Sequence, residues 1–289
     1  MLVSQALQLF VEERRLSASS PRTISFYTDS LKPLLALDAT AELDQLQALV
    51  NRYFSDLADR NLAPASNHTY WRAVKTFTRW CAAEELAEPI KLPKIPKPQT
   101  TIRPMSSNQV LEVLSSFSRD YYGHRNRAIV HTLWDTGLRV SELCRLGVQD
   151  VNWDERWLFV TGKGKKERWV PFGNTTKKLL WTWWKQRARY TRAGQHSFFV
   201  SKQGRGLDRR VVQMVFRHLK DRFEFPGVRL SAHTLRHTFA VSWIEAGGDP
   251  FSLQKILGHS TQEMTSKYVN LGRSNLTDQH ERCGPGDRH

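Results

Sequence analysis

Between Glu88 and Pro98 the chain reads Glu-Pro-Ile-Lys-Leu-Pro-Lys-Ile-Pro-Lys-Pro, with one more proline at Pro104. Each proline fixes φ near −65° and removes a backbone donor, so this stretch is expected to run extended and semi-rigid rather than helical. A chain of 289 residues has room for about two cores of roughly 100–200 residues each. The expected organisation is therefore a helical part over 1–88, a Pro-rich linker over 89–104, a larger part over 105–274 and a tail over 275–289. Charge divides at the same place. The first 95 residues carry 11 acidic and 11 basic side chains, so the whole net charge of +15 lies after them.

A basic field of that size favours a polyanion, because neutralised phosphates release counterions. Charge alone leaves nucleic acid, ribosomal and membrane-surface partners open. No apolar run approaches the roughly 18 residues of a membrane span. The start, MLVSQALQLFVEERRL, has neither a basic opening nor a small-residue cleavage site, so no secretory signal is expected. Cys81, Cys144 and Cys283 form no metal-binding or disulfide spacing, and a reducing cytoplasm is the simplest compartment.

The N-terminal part reads as a small helical bundle. Ser20-Pro21 has the form of a helix cap followed by proline in the first turn. From about Ser66 to Glu85, Tyr70, Val74, Phe77 and Cys81 recur at helical spacing and define an apolar face. Arg72, Lys75 and Arg79 fall opposite, which fits either a solvated charged face or a side laid against DNA. After the linker, Ser106 and Gln109 make a capping box for a helix through Leu114. Helices are expected from Arg125 to Asp135 and from near Arg139. Trp157–Val160 and Arg168–Phe172 are rich in strand formers and flank Gly162-Lys163-Gly164-Lys165-Lys166, a hairpin signal. Further helices are expected over about 175–190, 208–222 and 233–246. A short one follows, capped by Asp249 and closed by Gly258, and another, capped by Ser260 with Glu263, carries Tyr268. The fold class is mainly α with a small antiparallel β-sheet.

Five segments carry side chains suited to phosphodiester chemistry: Thr136–Leu143, Gly162–Arg168, His233–His237, Leu257–Ser260 and Tyr268. Cleaving a phosphodiester with a protein nucleophile needs charge to offset the nonbridging oxygens, a proton for the leaving oxygen and an in-line attacking group. Guanidiniums such as Arg139 and Arg236 suit the first task, a turn lysine the second and a phenol the third. Each has a plainer reading as well. Arg139 fits a surface ion pair, the lysines a solvated turn, His233 with Arg236 a hydrogen-bonded pair and Tyr268 a half-buried core aromatic. His233 and His237, four apart, lack a third ligand spaced for zinc, and no metal is expected.

In this order and spacing the segments resemble the tyrosine recombinase (phage integrase) family, and within it the bacterial Xer-like branch. The strings that carry the resemblance are Thr-Gly-Leu-Arg-Val-Ser-Glu-Leu, Gly-Lys-Gly-Lys-Lys-Glu-Arg-Trp-Val-Pro, Ser-Ala-His-Thr-Leu-Arg-His-Thr-Phe-Ala and Leu-Gly-His-Ser, with a tyrosine nine residues past that histidine. The resemblance covers essentially the whole chain. It implies an N-terminal helical core-binding (SAM-like) domain and a catalytic domain of the DNA breaking-rejoining fold. It implies that Arg139 and Arg236 clamp the scissile phosphate and that Lys163, rather than Lys165 or Lys166, protonates the leaving 5′-oxygen. His233 assists proton transfer at the tyrosine, His259 bonds a nonbridging oxygen, and Tyr268 forms a 3′-phosphotyrosyl link. Glu142 is expected to orient a histidine or arginine from behind, while Arg72, Lys75, Arg79, Lys165 and Lys166 contact DNA.

It further implies double-stranded DNA with inverted-repeat sites as partner. A homo-tetramer would bridge two sites, with an accessory or paralogous recombinase as the alternative, and strands would be exchanged pairwise through a four-way junction. No cofactor, ATP or membrane is implied. The tail over 275–289 is expected to dock on a neighbouring protomer. Two other classes stay open on sequence: a type IB topoisomerase, which relaxes supercoils without paired sites, and a non-catalytic DNA-binding regulator, which forms no covalent adduct.

Overall fold

A computed structural model of the chain describes residues 1–96, 102–162 and 166–258. It divides into two compact units, Met1–Thr100 and Thr101–His289. Among the described residues, no helix is long and apolar enough to cross a membrane.

The first unit is a four-helix assembly: α1 (Val3–Leu16), α2 (Pro21–Leu37), α3 (Leu46–Asp59) and α4 (Pro64–Ala83). Ser20 caps α2 by accepting the Thr23 amide, with Pro21 at the first helical position. The α4 helix starts two residues before the expected Ser66, because Pro64 in its first turn is pre-set for helical φ. Its apolar stripe behaves as the spacing predicts: Val74, Phe77 and Cys81 are buried. They meet Phe10, whose ring packs edge-on against Tyr27, Phe77 and Trp80 at 5.1, 5.7 and 5.4 Å. Residues 87–96 follow without regular secondary structure. This segment is fastened to the bundle, since the Gln47 amide exchanges hydrogen bonds with the Lys91 backbone at 2.9 and 3.1 Å and Trp71 Nε1 donates to the Pro93 carbonyl at 2.9 Å.

The second unit contains α5 (Ser107–Ser115), α6 (Tyr121–Thr136), α7 (Val140–Arg145), strands β1 (Val151–Asn152), β2 (Trp157–Thr161) and β3 (Glu167–Pro171), then α8 (Asn174–Arg187), α9 (Arg209–Arg222), α10 (Ala232–Glu245) and α11 (Pro250–Leu257). The capping box of α5 forms, with Ser106 Oγ accepting the Gln109 amide and Gln109 Oε1 accepting the Ser106 amide. The strands form one antiparallel sheet in the order β1-β2-β3, with Leu158 opposite Val170 and Phe159 opposite Trp169. Alternation sends Leu158, Val160 and Val170 into the core, while Trp157 and Trp169 stay exposed. The core centres on α6, with α8 and α10 packed against it. A smaller apolar cluster of Ala240, Ile244, Leu253 and Leu257 joins α10 to α11.

In the second unit, α6 and β1 depart from the sequence reading. The α6 helix begins four residues before the expected Arg125, capped by Asp120, whose carboxylate accepts the Gly123 amide at 2.8 Å. Its first turn contains Tyr121, Tyr122 and Gly123, poor helix formers that hide it from a propensity argument. Tertiary contacts hold that turn: the Tyr121 hydroxyl donates to the Val200 carbonyl and the Arg125 guanidinium lies over both tyrosine rings. The β1 strand, two residues long, is too short to leave a pattern. Because the Asp120 carboxylate accepts a first-turn amide of this helix, Asp120→Ala should lower the unfolding free energy of the second unit by about 1 kcal/mol in urea titration, whereas Asp120→Asn should lower it by much less.

Candidate active site

A helix leaves its last four carbonyls without intrahelical partners and carries partial negative charge at that end. The C-terminus of α11 is used in this way three times. Arg168 Nε donates to the Ile256 carbonyl at 2.7 Å, Arg236 Nη2 to Leu257 at 2.8 Å and Arg139 Nη2 to Gly258 at 3.2 Å. Three guanidiniums from β3, α10 and the start of α7 are thus fixed on consecutive peptide groups. Arg139 and Arg236, 97 residues apart in the chain, are brought side by side.

Gly137 and Gly258 make this approach feasible. Gly137 ends α6 in the left-handed conformation, φ 61°, two residues before Arg139. Its carbonyl accepts from Arg236 Nη1 at 2.6 Å. A Cβ there would sit 2.6 Å from the Phe239 ring and 2.7 Å from Leu257, so a side chain is excluded by space as well as by φ. Gly258 ends α11 with φ 62°, and a Cβ there would meet the Arg168 guanidinium at 2.9 Å.

One carboxylate organises the cluster from behind. Glu142 is buried at 2% exposure, and its Oε1 accepts from Arg139 Nη1 at 2.8 Å and Arg168 Nη1 at 3.1 Å. Its Oε2 accepts the Arg139 backbone amide and Arg168 Nη2, both at 2.9 Å. Burial alone would raise its pKa; hydrogen bonds from Arg168 and from the Arg139 amide, with the Arg168 charge and a further bond from the Arg139 side chain, outweigh that and hold it below 4.5. Glu142 therefore orients arginines and remains ionised. With three guanidiniums against this carboxylate, the cluster stays cationic and suited to a phosphate.

His233 and Arg236 stand three residues apart on α10. Arg236 is buried at 6% exposure while His233 opens to solvent. The protein packed around the His233 ring and the neighbouring Arg236 charge lower its pKa below 6.5, so the imidazole is neutral at neutral pH and able to accept a proton. Among the described residues, no group of three metal-ligating side chains forms around His233 and His237. Lys166 is exposed at the foot of the hairpin, where its carbonyl accepts the Gly162 amide at 2.7 Å. Lys163, Lys165, His259 and Tyr268 lie outside the described residues.

In the first unit, Arg72 and Arg79 are exposed and Lys75 half-buried. They line an open groove of about 500 Å³ together with Arg14, Trp71, Thr76 and Trp80. Lys75 Nζ lies 4.4 Å from the Trp71 ring and Arg72 lies 5.7 Å from the Phe26 ring. This is a cation–aromatic groove rather than a simply solvated face. Sequence reasoning missed Arg14 and Trp71 there, and Arg168 in the second unit. Arg168 was legible in principle: it shares the inward face of β3 with Val170, and an inward arginine in a strand requires a buried partner.

A cationic cluster on a helix-rich unit with a small sheet defines an anion-binding site suited to phosphate. Comparison with known proteins gives the family. The phage integrase family model matches residues 103–274. The chain is 31% identical to the tyrosine recombinase XerC of Pelobacter propionicus, over 98% of this chain and 95% of the relative. It is 30% identical to the tyrosine recombinase XerA of Pyrococcus furiosus, with the same coverage. Among solved structures it is similar to XerA recombinase, with a TM-score of 0.53, 27% identity and coverage of 98% and 99%. It shares its fold with the Tn1549 transposon integrase in complex with circular intermediate DNA, with a TM-score of 0.74, 17% identity and coverage of 95% and 99%. The chain belongs to the phage integrase family, as an Xer-like tyrosine recombinase. Its activity is site-specific DNA recombination by tyrosine-dependent cleavage and rejoining.

A buried carboxylate held by two guanidiniums is costly to remove. Glu142→Ala should destabilise the second unit by about 3 kcal/mol or more at neutral pH, because two arginines lose their anion. The folded-state pKa of Glu142 is depressed, so its contribution is complete above pH 4.5 and is lost as pH falls through the folded value. Glu142→Gln should therefore flatten the acid side of the stability–pH curve measured by denaturant titration.

Proposed function

We propose that Arg139 and Arg236 clamp the scissile phosphate while Tyr268 attacks it. The observation that carries this reading is the anchoring of both guanidiniums on adjacent carbonyls, Gly258 and Leu257, at the position that leads directly into His259. The phenol oxygen forms a bond to phosphorus, the bond to the 5′-oxygen breaks, and Lys163 gives that oxygen its proton. The phenolic proton passes to the neutral His233, and His259 hydrogen-bonds a nonbridging oxygen. The products are a 3′-phosphotyrosyl link and a free 5′-hydroxyl, and the reverse reaction with another 5′-hydroxyl rejoins the strand. The phosphotyrosyl bond conserves the energy of the broken phosphodiester, so no metal or ATP enters.

The partner is double-stranded DNA carrying inverted-repeat sites. XerH, which shares the fold at a TM-score of 0.70 and 19% identity, was solved bound to a palindromic difH substrate in a post-cleavage complex. In this chain Arg72, Lys75 and Arg79 contact the backbone from the first unit, and Lys165 and Lys166 from the hairpin. Segments 1–88 and 105–274 act as the core-binding and catalytic domains on either side of the 89–104 linker. Four copies, or two pairs with a paralogous recombinase, hold two sites and exchange strands through a four-way junction. The tail over 275–289 docks on a neighbouring protomer. The site of action is the cytoplasmic nucleoid.

On a nicked suicide duplex the wild-type chain should accumulate a covalent protein–DNA adduct. Tyr268→Phe should give none while binding the same duplex within about twofold, and the DNA it retains identifies the recombination site. An adduct with Tyr268→Phe would reject the assignment of the nucleophile. A second measurement concerns His233. Its lowered pKa predicts single-turnover cleavage whose acid limb lies at lower pH than that of an ordinary imidazole, where the ring takes a proton. In His233→Gln that acid limb should disappear along with most of the rate.

A further inference from the structure

Arg168 has no part in the mechanism above, yet its guanidinium is held at three points. Its Nε is held by the Ile256 carbonyl, and Nη1 and Nη2 by the two oxygens of Glu142. Each of its three nitrogens thus makes a hydrogen bond inside the protein, so its guanidinium is occupied in joining β3 to α7 and the end of α11. It also lies against two glycines. A Cβ on Gly162 would be 3.6 Å from Nη1, and one on Gly258 2.9 Å. In sequence these glycines immediately precede Lys163 and His259.

We propose that Arg168 is the positioning residue that fixes the lysine hairpin against the end of α11, so that the proton donor meets the phosphate where Arg139 and Arg236 hold it. The inference rests on the assignment of Lys163 as proton donor. The hairpin is closed at its foot by the bond from the Gly162 amide to the Lys166 carbonyl, and what it needs beyond that is a fixed direction relative to the end of α11. Arg168 supplies that direction from β3 with three charge-assisted bonds in one rigid plane. Lysine carries a point charge on a flexible stem and cannot make the same set. An error of about 1 Å in placing a reacting group is enough to cost roughly 100-fold in rate.

A sulfur leaving group tests this directly. In a suicide duplex built on the site retained by Tyr268→Phe, the 5′-bridging oxygen of the scissile phosphate is replaced by sulfur. The P–S bond then breaks to release a thiolate, which needs no proton because thiols ionise near pH 8.5, far below an alcohol. Arg168→Met and Arg168→Lys should each cleave the oxygen substrate about 100-fold more slowly than wild type and the sulfur substrate within about threefold. Duplex affinity should change little. Lys163→Ala is the control and should show the same recovery. If Lys163→Ala does not recover on sulfur, the proton-donor reading fails. If it recovers and the Arg168 variants remain slow on sulfur, or if they are as fast as wild type on oxygen, the positioning inference is overturned alone. The melting temperature of each variant is measured first, and Arg168→Lys decides the matter if Arg168→Met does not fold.

Discussion

The unsatisfied carbonyls at the end of α11 are the constraint on which the catalytic unit is built. A short helix of eight residues would ordinarily release its last carbonyls to water. Here Ile256, Leu257 and Gly258 instead receive three guanidiniums from three different elements. The arrangement requires a sharp, side-chain-free exit at Gly258 and an equally tight turn at Gly137. It also requires a countercharge, because three cations converging on one helix end repel one another.

Glu142 provides that countercharge at a desolvation cost it could not sustain alone. Its two oxygens receive four donors, one of them the backbone amide of Arg139, so it fixes the position of that residue as well as its charge. The consequence for chemistry is preorganisation. The guanidiniums are oriented when the chain folds, and little rearrangement is left for the moment a phosphate arrives.

Much of this was legible in the sequence because it depended on local chemistry. Caps at Ser20, Ser106 and Asp249, the proline-initiated helices and the glycine exits are dictated by residues a few positions apart. The pairing of Arg139 with Arg236 came through a motif resemblance, since no local rule connects positions 97 residues apart. What stayed hidden was decided by tertiary contact. The first turn of α6 is held by Tyr121 and Arg125 against distant backbone, and Arg168, expected at the start of a strand, gives no local sign of the Glu142 and Ile256 partners it meets. Lys75 reads as either solvated or DNA-facing until Trp71, one turn earlier on α4, is recognised as its partner.

The apolar cluster of Ala240, Ile244, Leu253 and Leu257 carries a consequence of its own. It seats α11 on α10, and with it the carbonyls that grip the arginines. Trimming a methyl group there would shift the helix end by a fraction of an ångström, a disturbance the rest of a well-packed unit tolerates. The damage would surface as lost chemistry in a protein that still folds and still finds its DNA. Alleles of that kind sit in plain hydrophobic positions, and a survey confined to charged residues near the phosphate would overlook them.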